Sequence, residues 1–303
     1  MEENFVRKIF RLQRPNPNIL LGIGDDAAIL NTKKQNTVIT TDLLTEGVDF
    51  YLNQVPTSWI GRKAAAVNLS DLAAMGAKPV GVVAAVALPR EEAERIAAEI
   101  YEGMTPLLEK YNAPLVGGDT NTWEGKLVIS LAAIGTVTPH GALRRDGAKP
   151  GDRILVTGSF GGSILQRQFL FEPRIHEALF LNERFSLHAA MDVSDGLSLD
   201  LSRMAAASRC GAVIDADHVP VHEDAYQLAG RNGDMSPFRH ALQDGEDFEL
   251  ILAVSPVEAE KLVKSQPLEI PLTDIGEFTA EEGLWLRAVD GSMEKILPCG
   301  YTH

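Results

Sequence analysis

Cysteine is nearly absent from this chain. Only Cys210 and Cys299 occur among its 303 residues, and they form neither a CxxC pair nor the spacing of a zinc site. The sequence therefore offers no disulfide framework and no cysteine metal centre, and two free thiols are expected. Free thiols are typical of a reducing compartment, which favours a cytoplasmic location.

Positive charge and long apolar runs are also scarce. Lys and Arg total 28 against 42 for Asp and Glu, which gives a net charge of −14. Such an acidic surface repels nucleic-acid phosphates and anionic lipids, so neither nucleic acid nor a membrane is an expected partner. The longest apolar run, Pro79 to Pro89, is too short to cross a bilayer and predicts a buried strand.

Several nucleotide-binding and hydrolase motifs are missing. The sequence contains no GxxxxGK[ST] loop, no HExxH and no GxSxG. GIGDDA at 22–27 matches G-x-G-x-x-A, but a strand pattern follows it where a dinucleotide site requires a helix. Its two adjacent carboxylates would also repel a pyrophosphate. These observations argue against a P-loop enzyme, a zinc protease, a serine hydrolase and a Rossmann domain.

Helix and strand patterns alternate in both halves, which predicts an α/β or α+β protein with two domains. Helices are predicted over 2–14, 57–77, 90–110, 174–187, 197–209, 222–230 and 256–265. Strands are predicted over 19–23, 27–30, 37–41, 80–88, 114–116, 126–137, 153–157, 211–215, 247–254, 272–278 and 284–289. The segment 140–152 is rich in Gly, Pro and basic residues. We therefore place the boundary near Pro139, between domains 1–139 and 140–303.

A set of aspartates follows apolar, strand-like runs or lies in predicted turns: Asp25, Asp26, Asp42, Asp71, Asp119, Asp192 and Asp195. Any one of them alone would be interpreted as a solvated or turn residue. Ligands of α/β sheets bind where strands end, so convergence of the set is expected there. Seven carboxylates cannot converge without a counter-charge, and Mg²⁺ bound to carboxylates and phosphate oxygens is the usual solution. The set predicts a phosphate site with several Mg²⁺ ions.

Two glycine pairs and one basic pair fit a phosphate site, although each has a simpler interpretation. Gly117-Gly118 and Gly161-Gly162 would let the backbone approach a phosphate, and each pair is also ordinary turn chemistry. Arg144 and Arg145 would contact a phosphate or belong to an interdomain linker.

The motifs GIGDDAA, TTD, EGVDF, NLSDLAAMGA, GGDT, LRRDGAKPGD, DVSDGL and DGEDFEL occur in this order. The series resembles that of the thiamine-monophosphate kinases, a family of the aminoimidazole ribonucleotide synthetase-like superfamily. The resemblance implies an N-terminal mixed sheet that pairs across a homodimer into a barrel, and a C-terminal α/β domain. It implies ATP as co-substrate, several Mg²⁺ ions, and in-line transfer of the γ-phosphoryl group of ATP to thiamine monophosphate.

The resemblance also implies roles for individual residues. The expected metal ligands are Asp26, Thr40, Thr41, Asp42, Asp71, Asp119, Asp192 and Asp195. The expected ATP contacts are Tyr101, Gly118, Asp119, Arg145 and Ser194, although Tyr101 also fits core packing. The expected contacts to the thiamine end are Asp49, Glu246 and Tyr301. No single general base is expected, because catalysis would act through metal-bound Asp26, Asp42, Asp71 and Asp119.

Two alternatives stay open at the level of sequence. The first is another ATP-dependent enzyme of the same superfamily, such as one similar to aminoimidazole ribonucleotide synthetase. A selenophosphate synthetase would need a reactive residue near the N-terminus, and no cysteine precedes Cys210. The second is a relative that binds nucleotide without turnover.

Overall fold

The structure is a computed structural model that describes residues 17–21, 25–32, 36–233 and 235–302. The helix predicted over 2–14 and the end of the first predicted strand lie outside the described residues. The chain forms two compact units. Within the described residues, the first unit comprises 17–141 and Phe169–Ile175, and the second comprises 142–168 and 176–302. The division predicted at Pro139 stays a prediction.

The first unit contains a six-stranded mixed sheet. Its strands are β1 (Ile19–Leu21), β2 (Ala28–Asn31), β3 (Asn36–Thr45), β4 (Ala77–Pro89), β5 (Leu115–Trp123) and β6 (Val128–Val137). Their order across the sheet is β1-β2-β3-β6-β4-β5. Only the edge pair β4 and β5 is parallel among these neighbours. The sheet places β3 beside β6 and leaves β5 at an edge.

Two helices, α1 (Thr57–Ala74) and α2 (Ala93–Lys110), belong to the same unit. The apolar stripe of α2 is buried at Ile96, Ile100, Met104, Leu107 and Leu108, as its helical spacing predicts. The two helices approach closely where their residues are small. A Cβ atom on Gly103 would lie 1.7 Å from the backbone oxygen of Ser58, so only glycine fits there.

One face of this sheet is covered and the other is open. On β3, Leu44 is 6% exposed whereas the adjacent Leu43 is 59% exposed. The register continues this alternation across the sheet, because Leu43 pairs with Ser130 and Ser130 pairs with Ala85. Val83 and Val116 are also exposed. The open face therefore carries apolar side chains, and the covered face holds the core of the unit.

The second unit contains a seven-stranded mixed sheet. Its strands are β7 (Arg153–Thr157), β8 (Leu187–Asp192), β9 (Gly211–Asp215), β10 (Leu250–Val254), β11 (Leu272–Thr279), β12 (Leu284–Arg287) and β13 (Met293–Ile296). Their order is β13-β12-β9-β11-β7-β10-β8. The helices in this half of the chain are α3 (Arg167–Leu170), α4 (Ile175–Arg184), α5 (Leu197–Ala207), α6 (Glu223–Asn232), α7 (Pro237–Gln243) and α8 (Pro256–Ser265). Apolar residues of β7, β10 and α5 share one core.

Strands β3 and β5 extend further than their sequence patterns predicted. Asp42 and Asp119 were expected after strand ends, but both lie inside strands. Asp42 pairs with Leu131 of β6, and Asp119 pairs with Ala85 of β4. A polar edge strand such as β5 resembles a loop in sequence because neither of its faces needs apolar residues. Helix α7 and strand β13 were not predicted.

The two-domain mixed α/β class is confirmed by these two sheets with their helices. Within the part of the chain that the structure describes, every helix is too short or too polar to cross a bilayer.

Candidate functional site

The first acidic group of the site is built by β3, α1 and the segment before β2. Carboxylate oxygens of Asp26 and Asp71 lie within 4.8 Å of each other. The hydroxyl of Thr40 lies within hydrogen-bonding distance of Asp71 Oδ2 and 3.2 Å from the backbone oxygen of Asp26. The structure thus brings together three of the expected metal ligands. Thr40 and Asp71 meet because Thr40 lies on the covered face of the sheet.

Asp42 lies two residues beyond Thr40 on the same face of β3. Burial, together with the nearby anions Asp49 and Asp26, raises the pKa of the Asp42 carboxyl to about 6. Among the described residues, Asp42 Oδ2 is buried and accepts no hydrogen bond. A buried carboxylate beside like charges is costly unless a cation neutralises it. We name Asp26, Thr40, Asp42 and Asp71 the acidic cluster.

Two other expected ligands lie on the opposite face of the same sheet. Thr41 pairs with Ala132 and donates its hydroxyl to the backbone oxygen of Leu131 at 2.8 Å. Asp119 is in register with Ala85, on the open face. Its carboxylate accepts a hydrogen bond from the Thr120 amide at 3.0 Å. The side chains of the six expected ligands in this unit are therefore not all directed to one point.

A pocket of about 300 Å³ lies between α2 and the strands β4 and β5. Its lining includes Leu88, Ile100 and Met104 together with Gly118 and Asp119. Tyr101 also lines it and is 54% exposed, so the alternative role of Tyr101 in core packing is wrong. A mostly apolar pocket with a few polar groups at its mouth suits a flat heterocycle.

Asp49, expected at the thiamine end of the substrate, lies in a tight loop after β3. The amide of Thr45 donates to Asp49 Oδ2 at 2.6 Å, and the Thr45 hydroxyl lies 3.2 Å from the same oxygen. The Asp49 backbone oxygen accepts a bond from the ammonium of Lys63 at 3.3 Å. The loop is therefore held by its own hydrogen bonds and by α1.

The second unit brings four expected site residues together around the turn between β8 and α5. The amide of Glu246 donates to the backbone oxygen of Ser194 at 2.7 Å, and the amide of Tyr301 donates to that of Asp195 at 2.8 Å. Glu246 has a φ of 53°, an uncommon left-handed conformation that is often found at functional sites. Asp192 ends β8 and is 2% exposed.

The carboxylate of Asp195 forms an ion pair with Arg203 of α5. The same guanidinium donates to Asp200 at 2.8 Å, and Asp200 accepts the Asp195 amide at 2.8 Å. Burial and the charge of Asp195 raise the pKa of Asp200 to about 7, although Arg203 opposes the rise. Asp200 and Arg203 thus fix the turn from which Ser194 and Asp195 project.

The interpretation of Gly161-Gly162 as a phosphate loop is not supported by their contacts. The Gly161 amide donates to the carboxylate of Asp247 at 3.0 Å, and the Gly162 amide donates to Asp244 at 2.7 Å. Since both amides already bind carboxylates, they do not form an anion cradle. A Cβ atom on Gly162 would lie 2.4 Å from the backbone of Asp224, so packing explains the glycine.

Arg145, an expected ATP contact, is half-buried in the segment that opens the second unit. Its backbone oxygen accepts a hydrogen bond from Ser208 at 2.9 Å, which anchors the segment to the end of α5. The neighbouring Arg144 is ion-paired with Asp146 at 2.5 Å.

Sequence reasoning missed Lys63, which is fully buried beside the Asp49 loop. The available signal was a second charged residue, directly after Arg62, at the start of the alanine-rich stretch KAAAVNLSDLAA. A lysine in such a stretch needs a specific partner. Asp200 was missed because it stands in a helix pattern, where a single carboxylate usually faces solvent.

Two family models match most of the chain. The model "AIR synthase related protein, N-terminal domain" covers residues 24–137, and "AIR synthase related protein, C-terminal domain" covers 149–288. A curated thiamine-monophosphate kinase of Rhodopirellula baltica is 42% identical over 312 residues, which span 100% of this chain and 97% of that protein. The chain belongs to the thiamine-monophosphate kinase family.

Solved structures of the family share this fold. One described as "AaThiL complexed with AMPPCP and TMP" matches with a TM-score of 0.84 and 26% identity, over 99% of this chain and 95% of that one. The thiamine-monophosphate kinase of Stenotrophomonas maltophilia K279a matches with a TM-score of 0.75 and 35% identity, over 95% of both chains. The family predicted from the motif series is confirmed.

Proposed function

We propose that this protein is a kinase that transfers the γ-phosphoryl group of ATP to thiamine monophosphate, giving thiamine diphosphate and ADP. The observation that carries the proposal is the acidic cluster, whose buried Asp42 has a raised pKa and lies near Asp26 and Asp49. Family membership over the whole chain supplies the substrate class, since the relatives are thiamine-monophosphate kinases.

We propose that the acidic cluster holds Mg²⁺. Its donors are carboxylate and hydroxyl oxygens, the ligands that hard cations prefer. The fit rests on Asp42 Oδ2, a buried oxygen without a hydrogen-bond partner among the described residues, and on the proximity of Asp26 to Asp71. Asp26, Thr40, Asp42 and Asp71 would hold the cations of the first unit. The roles of Thr41, Asp119, Asp192 and Asp195 as further ligands stay predictions.

The chemistry needs charge neutralisation more than a strong base. The acceptor is a phosphate monoester with a second pKa near 6, so it is largely ionised at neutral pH. Bound divalent cations would supply neutralisation of the two phosphate groups that must meet. The task of the chain is to hold both anions in line, and no single side chain acts as general base in this proposal.

We propose that the pocket between α2 and β5 takes the adenine of ATP. Tyr101 and Ile100 lie on one wall, and Gly118 and Asp119 form part of the strand opposite. An exposed tyrosine ring at the mouth can stack on a base, which explains its position better than core packing. Arg145 and Ser194 are proposed as further ATP contacts, by resemblance to the family.

We propose that Asp49, Glu246 and Tyr301 face the thiamine end of the acceptor. The thiazolium ring is cationic, so the carboxylates of Asp49 and Glu246 suit it electrostatically, and Tyr301 provides an aromatic face. Backbone hydrogen bonds join both Glu246 and Tyr301 to the 194–195 turn.

We propose a homodimer in which the open face of the first sheet is covered by a second copy. Leu43, Val83 and Val116 are 59%, 37% and 65% exposed on strands of this sheet. Adjacent apolar residues of this kind are favourable at an interface between subunits. Light scattering should give the mass of two chains, and Leu43→Asp should shift the protein toward one chain. A wild-type mass of one chain would contradict the dimer.

The cytoplasmic location and the division at Pro139 stay predictions.

The function is tested by incubating the purified protein with ATP, Mg²⁺ and thiamine monophosphate and separating the products by chromatography. Equal amounts of thiamine diphosphate and ADP are expected, and both should vanish with EDTA. ADP formation without thiamine diphosphate would show that the acceptor is wrong. Absence of turnover with retained ATP binding would favour the non-catalytic alternative.

A further inference from the structure

Lys63 is a fully buried cation whose position the proposed chemistry does not yet explain. It lies in α1, and none of its surface is exposed. Burying an ammonium group is costly unless it is paired, so a buried lysine is retained where its contacts serve a purpose. Its ammonium donates to the backbone oxygen of Asp49 at 3.3 Å and lies 5.0 Å from the centroid of the Phe169 ring.

The Phe169 ring comes from a segment in the second half of the sequence that belongs to the first unit. Phe169–Ile175 is grouped with residues of α1 and α2. The guanidinium of Arg62, next to Lys63, donates to the backbone oxygen of Phe169 at 3.1 Å and to Glu172 at 2.9 Å. Lys110 and Tyr111 also bond to Glu172, at 2.8 and 3.1 Å. The segment that carries the ring is therefore anchored at Phe169 and at Glu172.

Lys63 bonds Asp49 at its backbone oxygen. Asp49 directs its own carboxylate back to Thr45, and the amide of Gly47 donates to the backbone oxygen of Phe50 at 2.7 Å. Because these bonds make the loop 45–50 a closed unit, a tether at one carbonyl sets the position of the whole loop. Lys63 provides that tether to α1.

We infer that Lys63, covered by the ring of Phe169, is a positioning residue that sets the Asp49 loop for recognition of the cationic, organic end of the acceptor. The inference rests on the proposed function, in which Asp49 faces that end. It also assigns a role in substrate recognition to the segment Phe169–Ile175.

Two substitutions test the inference. Lys63→Met removes the tether, and Phe169→Leu keeps apolar bulk while removing the aromatic face. Each should raise KM for thiamine monophosphate about tenfold, with KM for ATP and kcat near the wild-type values. The free energy of one desolvated cation–π contact or charged hydrogen bond corresponds to a change of about tenfold in affinity. Isothermal titration of thiamine monophosphate alone should show the same loss of affinity without turnover.

Phe171→Leu is the matched control. Phe171 lies in the same segment and is 6% exposed, similar to Phe169 at 4%, but Lys63 is stacked on Phe169. This control should keep the wild-type KM for both substrates. If Phe169→Leu and Phe171→Leu change the kinetics equally, or if KM for ATP rises with KM for the acceptor, the two residues are merely structural and the inference is overturned.

Wild-type activity and the KM of Phe169→Leu distinguish failure of the proposed function from failure of the role assigned to Lys63. If wild-type protein forms no thiamine diphosphate and binds no thiamine monophosphate, the proposed function falls and the inference falls with it. If the wild-type protein is active and Phe169→Leu retains its KM for thiamine monophosphate, only the inference falls. Should Lys63→Met not fold, Phe169→Leu decides the question alone.

Discussion

Buried carboxylates occur in both units, and the two units neutralise them differently. In the first unit, burial and the anions Asp49 and Asp26 raise the pKa of Asp42, and no cation among the described residues opposes this rise. In the second unit, burial also raises the pKa of Asp200 and of Asp247, but Arg203 and Arg167 oppose the rise from 2.8 Å away. The charges of Asp200 and Asp247 are therefore balanced inside the fold, whereas Asp42 would need a cation from outside.

The largest expected effect comes from removing a charge of the acidic cluster. Asp71→Asn should lower kcat/KM by about a hundredfold or more, because catalysis depends on cations held there. It should not lower the free energy of unfolding, since the change relieves repulsion with Asp26 and keeps an acceptor for Thr40. Steady-state kinetics and thermal unfolding of the same preparation test both statements. Near-wild-type turnover would remove Asp71 from the proposed site.

Removing an arginine that pairs with a buried carboxylate should instead lower the stability of the fold. Arg167→Met leaves Asp247 buried without its ion pair and should lower the free energy of unfolding by about 3 kcal/mol or more. Arg95→Met is the matched control, because its ion pairs with Glu92 and Glu99 are at the surface and should contribute little to stability. Urea unfolding measures both variants. Equal losses in the two variants would contradict the distinction between buried and exposed pairs.

A smaller effect is expected in the dependence of stability on pH. Because the pKa of Asp200 is raised from 3.8 to about 7 in the folded state, the folded protein binds this proton more tightly than the unfolded chain. Its favourable contribution is therefore complete below about pH 4 and is lost as the pH rises to about 7, a change of a few kcal/mol at ~1.4 kcal/mol per pKa unit. Asp200→Asn should lack this decline when chemical unfolding is compared with wild type between pH 4 and 7. An identical slope in both proteins would refute the assignment.

The smallest expected effect is on the pH dependence of Mg²⁺ affinity, because a proton competes with the cation for Asp42. Mg²⁺ affinity should fall as the pH drops through about 6, the raised pKa of Asp42. Since the anion Asp49 contributes to this rise, Asp49→Asn should move the midpoint of the affinity profile to lower pH. Titration calorimetry across pH 5 to 8 measures the midpoint, with the exposed Asp217→Asn as control. A midpoint that stays in place in Asp49→Asn would show that Asp49 does not act on Asp42.

Part of the fold could be predicted because local pattern and tertiary structure agree. The strand Arg153–Thr157 and the helix Pro256–Ser265 have the predicted bounds, since an uninterrupted apolar run and a Ser-Pro start specify them locally. Strand β5 was predicted too short because its polar residues lie at an edge of the sheet. Helix α7 was missed because its seven residues carry too little periodicity, although Ser236 caps it and Pro237 begins it.

In the candidate site too, local motifs predicted some features, and others depended on contacts between distant segments. The motif series was sufficient to name the family and to select Asp26, Asp42 and Asp71, because these residues stand in the short motifs GIGDDAA, TTD and NLSDLAAMGA. It could not show that Asp119 and Thr41 lie on the open face, since that depends on the register between β3, β6 and β4. It also could not show that the Gly161 and Gly162 amides bind carboxylates more than eighty residues away.

Composition, periodicity and local motifs, which depend on a few residues at a time, were sufficient to predict an acidic chain of two α/β units, its family, and a candidate oxygen-donor site for cations and phosphates. The contacts of the folded chain were needed to show which carboxylates receive an arginine, which side chains share a face, and that Lys63 lies near both Phe169 and Asp49. Those facts depend on contacts between distant segments, and no local pattern encodes the partner of a buried charge.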